Sequence, residues 1–207
     1  TYNDTYAGVY IVNATASLPE FNMIHNNITN DAGGIGVKLL GTTIANACNS
    51  NKIYNNTITA NNGVYLTYCA STEIYNNTIN GKLLTGGIKM DNAVSSSKIY
   101  NNMIYTDGAC TTSSYCIVLS VTTAGGTTTQ NNKIYHNSMY SSGDCMRFNN
   151  GTDNTGNELV NNILYTASAA ATNYCISMNV ATTVQFSKCN YNQFYLPNGA
   201  KAGEFNS

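Results

Sequence analysis

A six-residue motif returns along this chain, and its fourth place is Asn every time. The copies are MIHNNI (Met23–Ile28), IYNNTI (Ile53–Ile58), IYNNTI (Ile74–Ile79), IYNNMI (Ile99–Ile104), IYHNSM (Ile134–Met139), LVNNIL (Leu159–Leu164) and CNYNQF (Cys189–Phe194). The recurrent residues are Asn26, Asn56, Asn77, Asn102, Asn137, Asn162 and Asn192. A chain with such internal similarity folds as a stack of like units, and the repeat outranks local propensity. The spacings of 30, 21, 25, 35, 25 and 30 residues are too uneven for helices of fixed length. They suit short strands joined by turns of variable length.

A second repeat lies between the copies of the first. It reads GVYI (Gly8–Ile11), GIGV (Gly34–Val37), GVYL (Gly63–Leu66), GIKM (Gly87–Met90), CIVL (Cys116–Leu119), CMRF (Cys145–Phe148) and CISM (Cys175–Met178). A small residue, then apolar, variable and apolar places, describes a strand with one buried face. Each repeat unit therefore holds at least two short strands.

The motif also demands a bend. Its first and sixth places are apolar in every copy except the Cys189 copy. Side chains five residues apart on a straight strand face opposite ways, so both point inward only if the chain turns between them. The fourth-place Asn is expected at that bend, because Asn tolerates left-handed backbone. Stacked coils would then lay one amide above the next, each donating and accepting, and so satisfy groups whose burial unpaired costs ~1–3 kcal/mol each. Two prolines and long Thr-rich stretches oppose long helices.

This strand–bend–strand unit with its Asn column resembles the right-handed parallel β-helix of the pectin-lyase-like superfamily, over nearly the whole chain. The resemblance implies an all-β, single-stranded parallel solenoid of about seven rungs with an Asn ladder. One domain over 1–207 is expected, with an irregular tail at about 196–207. The ending YNQFYLPNGAKAGEF (Tyr191–Phe205) is similar to segments that close β-helix regions of large bacterial surface proteins.

Composition narrows the function classes. Charged residues are 9% and the net charge is −1, with Arg147 the single arginine. Phosphate recognition needs clustered cations, so nucleic acid is an unsuitable partner. Apolar content is 43% and patterned, so low charge does not signal disorder here. No run approaches the ~18 apolar residues of a membrane span. The absence of an initiator Met or leader is read as processing or excision from a longer chain.

Seven cysteines suggest an oxidising, secreted or cell-surface setting. Cys48 and Cys69 each stand five residues before a motif and should lie on adjacent rungs, within disulfide reach. Cys110 and Cys116 bracket a short Thr/Ser loop and are a second candidate pair. Cys116, Cys145 and Cys175 share a place that Gly fills elsewhere, which marks a small buried residue. No CxxC pair occurs, so neither a metal nor another cofactor is expected.

Enzymes of the resembled superfamily carry acids, lysines or arginines on one sheet face, often with calcium. Its lyases use Lys or Arg as base, and its pectin hydrolases use clustered Asp with a Gly-His-Gly motif. Neither hydrolase motif is present, and no two acids stand within two residues of each other. The variable place of the second repeat runs Tyr10, Gly36, Tyr65, Lys89, Val118, Arg147 and Ser177, which should point outward. In a lyase, Lys89 or Arg147 would be the base and Asp91 its charge partner, with Asp144 near the strand start; a solvated face carrying cations is the plainer reading. His25 and His136 fill the third motif place as polar surface residues. Tyr54, Tyr75, Tyr100 and Tyr135 share the second place and are candidates for carbohydrate contact, although such ladders more often stiffen a sheet.

Two functions follow. The first is a non-catalytic extracellular structural solenoid, part of a surface adhesin, an appendage or a head-to-tail filament, its ends lacking an obvious polar cap. The second is a polysaccharide lyase or a carbohydrate-binding β-helix module.

Overall fold

The structure, a computed structural model, describes residues 7–13, 21–82, 86–106, 114–121, 129–149, 154–167, 173–179, 186–196 and 200–205. They form strands only, in three sheets. A sheet of short strands contains β2 (Met23–His25), β5 (Lys52–Tyr54), β8 (Glu73–Tyr75), β11 (Lys98–Tyr100), β14 (Lys133–Tyr135), β17 (Asn157–Val160) and β20 (Phe186–Asn190). A long sheet contains β1 (Ala7–Asn13), β3 (Ile28–Gly41), β6 (Thr57–Thr67), β9 (Thr78–Gly81), β10 (Ile88–Asp91), β12 (Met103–Thr106), β13 (Tyr115–Ser120) and β15 (Ser138–Ser141), and continues through β16 (Asp144–Asn149), β18 (Ile163–Thr166), β19 (Tyr174–Asn179), β21 (Gln193–Tyr195) and β22 (Lys201–Phe205). A small sheet pairs β4 (Cys48–Asn49) with β7 (Cys69–Ala70).

Every pairing among these strands is parallel, so the chain is a parallel β-solenoid. The short-strand sheet stacks seven strands, but the coils that start at β2 and β20 have a neighbour on one side only. About five turns are enclosed on both sides, against the seven rungs expected. Within the stretch expected as a tail, β22 pairs with β19.

Columns of like residues fill the interior. Ile53, Ile74, Ile99, Ile134 and Leu159 line one wall, and Ile58, Ile79, Ile104, Met139 and Leu164 the next, all buried. Each such side chain contributes ~1.5–3 kcal/mol relative to exposure. Gly63 shows why the second repeat opens on a small residue. A Cβ there would stand 2.2 Å from Ile79 Cγ2 and 2.7 Å from the Gly87 carbonyl oxygen.

The bend sits one residue earlier than expected. Left-handed φ falls on the third motif place: +54° at Asn55, +55° at Asn76, +54° at Asn101, +56° at His136, +54° at Asn161 and +58° at Tyr191. The fourth-place Asn follows the bend and sends its amide into the coil. This corrects the first motif copy as well. Register pairs Ile24 with Ile53 and His25 with Tyr54, so Asn27 rather than Asn26 stands over Asn56. Asn26 holds the left-handed bend, at φ +56°.

The column Asn27, Asn56, Asn77, Asn102, Asn137, Asn162 and Asn192 is joined from end to end. Asn56 Nδ2 donates to Asn77 Oδ1 at 2.9 Å, Asn77 to Asn102 at 2.9 Å, Asn102 to Asn137 at 3.0 Å, and Asn137 to Asn162 at 3.0 Å. The links to Asn27 and Asn192 measure 3.1 and 3.0 Å.

A second polar column, not anticipated, lies at the other end of the short strands. Phe21, Ser50, Ser71, Ser96, Asn131 and Gly156 have positive φ, and after them come Asn22, Asn51, Thr72, Ser97, Asn132 and Asn157. Thr72 N donates to Ser97 Oγ at 3.1 Å, Ser97 N to Asn132 Oδ1 at 2.9 Å, and Asn132 N to Asn157 Oδ1 at 3.0 Å. The column breaks once, where Asn51 Nδ2 and Thr72 Oγ1 are both buried without a partner.

Cys48 and Cys69 lie directly opposite in register, as expected, but remain free thiols. Cys69 Sγ donates instead to the Thr67 and Leu39 carbonyls, at 3.4 and 3.6 Å, and burial pushes its thiol well up. Cys110 lies outside the described residues, and with it the Cys110–Cys116 pairing. Cys116 is buried and donates to the Tyr140 carbonyl at 3.2 Å.

Candidate functional site

Two outward faces carry chemistry. On the long sheet, one column runs Tyr10, Lys38, Tyr65, Lys89, Val118, Arg147 and Ser177, of which Val118 and Ser177 are buried rather than exposed as expected. Lys38 occupies the place expected for Gly36, because the repeat copy there is GVKL at Gly36–Leu39. The shift gives an alternation of rings and cations. Lys38 Nζ lies 5.1 Å from the Tyr10 centroid and 5.5 Å from that of Tyr65, and Lys89 Nζ lies 4.9 Å from Tyr65. Such contacts contribute ~0.5–1 kcal/mol each when exposed.

Asp91, two residues beyond Lys89 on the same strand, is buried. Its Oδ2 accepts from the Tyr65 hydroxyl at 2.9 Å and meets Lys89 Nζ at 3.1 Å. Its Oδ1 is buried without a hydrogen bond. Burial, with the Asp91 charge adding to it, pushes the Tyr65 phenol up. Arg147 stands two coils from Lys89, about 10 Å away at the rise of a parallel stack. Its Nε donates to Asn149 Oδ1 at 2.8 Å, and its Nη1 to the Tyr115 hydroxyl. The structure thus joins Lys89 to Asp91 and keeps Arg147 in a separate cluster. Asp144 is buried at the start of β16, where it accepts from Tyr174 N at 2.7 Å.

The outer face of the short-strand sheet carries the tyrosine row. Tyr54, Tyr75, Tyr100 and Tyr135 stack with centroids 5.0, 4.9 and 5.0 Å apart and planes within 5°. His25 continues the stack at 4.8 Å from Tyr54. Each inner ring therefore has both faces covered by its neighbours. Only edges and hydroxyls remain for solvent, so a sugar cannot lie flat on Tyr75 or Tyr100. Burial, with Glu73 and the flanking tyrosines, pushes the Tyr100 phenol up to about 12.

Beside the rings runs a charged column. Glu73 bridges Lys52 at 3.6 Å and Lys98 at 3.3 Å, and Glu158 bridges Lys133 at 3.3 Å. Exposed pairs of this kind contribute ~0–1 kcal/mol. The stack ends at Tyr135, because its register partner on the next coil is Val160. There a notch of about 160 Å³ opens, lined by residues that include Tyr135, Val160, Lys133 and Lys188.

No three His, Cys, Asp or Glu side chains converge as metal ligands among the described residues. No helix there is long and apolar enough to cross a membrane. No known protein family matches this sequence, and no curated protein does. Among solved structures, an alginate lyase from Paenibacillus sp. str. FPU-7 is similar at 14% identity and a TM-score of 0.34, over 96% of this chain and 89% of that one. Nothing about activity follows from a likeness of that size.

Proposed function

We propose that this chain is a non-catalytic structural solenoid, displayed in secreted or cell-surface material of the adhesin or appendage kind. One observation carries the reading: each candidate catalytic cation is already engaged by side chains of this chain. Lys89 is held by Asp91 and the Tyr65 ring, and Arg147 by Asn149 and Tyr115. A lyase base must instead reach a substrate proton. Two polar columns and a ring stack along the spiral also favour a stiff spine.

The lyase reading keeps one point in its favour. Tyr65, Lys89 and Arg147 share an outward column, beside a carboxylate with an unused oxygen. Incubation with acidic polysaccharides, followed by ultraviolet absorbance of the unsaturated product, separates the two. The structural reading expects no turnover, and linear polymers by light scattering or microscopy would specify its filament form. Turnover that disappears in Lys89→Ala or Arg147→Ala would replace it with the lyase.

A further inference from the structure

Asn-X-Thr triplets begin at Asn3, Asn13, Asn27, Asn55, Asn76 and Asn150, and the sequence has no Asn-X-Ser triplet. Such a triplet can accept an oligosaccharide, a bulky group that needs a surface position. The fold sorts the four whose Asn is described. Asn13 is buried, and its Nδ2 donates to the Ala47 carbonyl at 3.3 Å. Asn27 spends its Nδ2 on the His25 carbonyl at 2.9 Å and on Asn56 Oδ1 at 3.1 Å, and the Thr29 hydroxyl is buried. Asn55 and Asn76 differ from both. Each occupies a left-handed bend, at φ +54° and +55°, and each is exposed. Neither amide nitrogen donates a hydrogen bond to another described residue. The middle residues, Asn56 and Asn77, point inward as members of the ladder. Thr57 and Thr78 follow in register on the outer face of the long sheet, alternating with buried Ile58 and Ile79. Each triplet therefore wraps a corner with its acceptor amide and its hydroxyl on the outside.

We propose that Asn55 and Asn76 are modification sites, acceptors of an N-linked oligosaccharide. The donor is an oligosaccharide carried on a lipid diphosphate. Its anomeric C–O bond to phosphate breaks, and a bond from that carbon to Nδ2 forms. One Nδ2 proton passes to a base of the transferring enzyme, and the lipid diphosphate leaves. Transfer takes an extended triplet, so folding afterwards decides which modified chains reach the native state. A glycan on Asn13 would have to enter the interior, against the cost of burying polar groups. One on Asn27 would remove a donor from the first link of the ladder. At the two corners the glycan projects into solvent and leaves both polar columns intact. The proposal rests on the secreted or cell-surface reading, because such lipid-borne donors deliver sugar outside the cytoplasm.

The test is secretion of the whole chain, behind a cleavable leader, from a host that N-glycosylates, followed by enzymatic glycan release in heavy-oxygen water and peptide mapping. Mapping separates these sites from Asn3 and Asn150, which lie outside the described residues. Folded chain is expected to carry glycan at Asn55 and Asn76, none at Asn13, and less at Asn27 than at either corner. Thr57→Ala should abolish modification at Asn55 alone, and Thr78→Ala at Asn76 alone; both keep the Asn that holds the bend. Met103→Thr, at an exposed position, should add modification at Asn101, the exposed bend residue of the next coil. Chain glycosylated at the corners should melt within about 2 °C of the unmodified chain. Empty Asn55 and Asn76 in secreted chain, glycan at Asn13 in folded chain, or a lower melting temperature on modification of the corners would overturn the proposal. Melting of the unmodified chain and polysaccharide turnover report on the structural reading separately, so failure of the acceptors is distinguishable from failure of the spine.

Discussion

Asn102 sits mid-column, and its replacement by Leu tests the ladder directly. Its Nδ2 donates to the Ile74 carbonyl at 2.9 Å, the Tyr100 carbonyl at 3.0 Å and Asn137 Oδ1 at 3.0 Å. Its Oδ1 accepts from Asn77 N at 3.0 Å and from Asn77 Nδ2 at 2.9 Å. Asn137 Oδ1 still receives Asn102 N in the variant, and Asn77 Nδ2 keeps the Ile53 and Tyr75 carbonyls. The group stranded by Leu is Asn77 N–H, since the Tyr100 carbonyl keeps Asn76 N at 3.3 Å and Ile74 lies within the β8–β11 ladder. At ~1–3 kcal/mol for the buried orphan and ~0.5–1.5 kcal/mol for each of the two lost carbonyl hydrogen bonds, offset in part by the added apolar side chain, the loss is ~2–4 kcal/mol. For a chain of this size that lowers the melting temperature by roughly 4–16 °C. Asn27→Leu, at the end of the column and exposed, should cost ~1 kcal/mol. Thermal melting followed by circular dichroism measures both. Equal losses at the two sites would refute the ladder as a source of stability.

Thr72→Asn should close the gap in the second polar column, by offering an amide oxygen to Asn51 Nδ2 at a place that the coils of Asn51, Asn132 and Asn157 fill with Asn. We expect ~1–2 kcal/mol of stabilisation in denaturant unfolding; a loss would show that the site cannot fit an amide. Gly63→Ala should destabilise by ~1–3 kcal/mol through its contact with Ile79 Cγ2, and Ile79→Leu, which removes that β-branch, should recover part of the loss in the double variant. Tyr100 should ionise near pH 12 rather than at the ordinary 10.0, seen in a spectrophotometric titration against Tyr100→Phe. Because its folded value is raised, its contribution to stability is complete below pH ~10 and is lost as pH climbs to about 12.

The coil was legible because its signals repeat. Apolar pairs five residues apart force a turn whatever the neighbouring propensities, and the short polar place between them names the bend. Legibility failed where a copy was matched by letter pattern alone. MIHNNI fits the motif from Met23, but burial of Ile24 and exposure of Met23 set the true register one residue later. GIGV likewise fits from Gly34, whereas cross-strand pairing selects GVKL and brings Lys38 beneath Tyr65. The second polar column had a signal too, a short polar residue two places before each motif. It went unread because Asn, Thr and Ser alternate there. The engagement of Lys89 with Asp91 could not be read from composition, since it depends on which outward places a strand puts on one face.

The two columns explain how so short a strand can define a sheet. Each three-residue strand of the short sheet has a left-handed residue before it and another after it, so both neighbouring peptide groups turn away from the ladder. Their backbone donors would be stranded inside the coil. The polar side chain after each bend accepts from the backbone N–H of the coil before, as Asn77 Oδ1 does from Asn56 N at 3.0 Å and Ser97 Oγ from Thr72 N at 3.1 Å. Side chains thus continue the parallel ladder around the corners where backbone pairing lapses. Uneven coil lengths follow from this, because insertions can enter between the long-sheet strands without disturbing a corner. The 35-residue step from Asn102 to Asn137 keeps the same Asn–Asn geometry as the 21-residue step from Asn56 to Asn77.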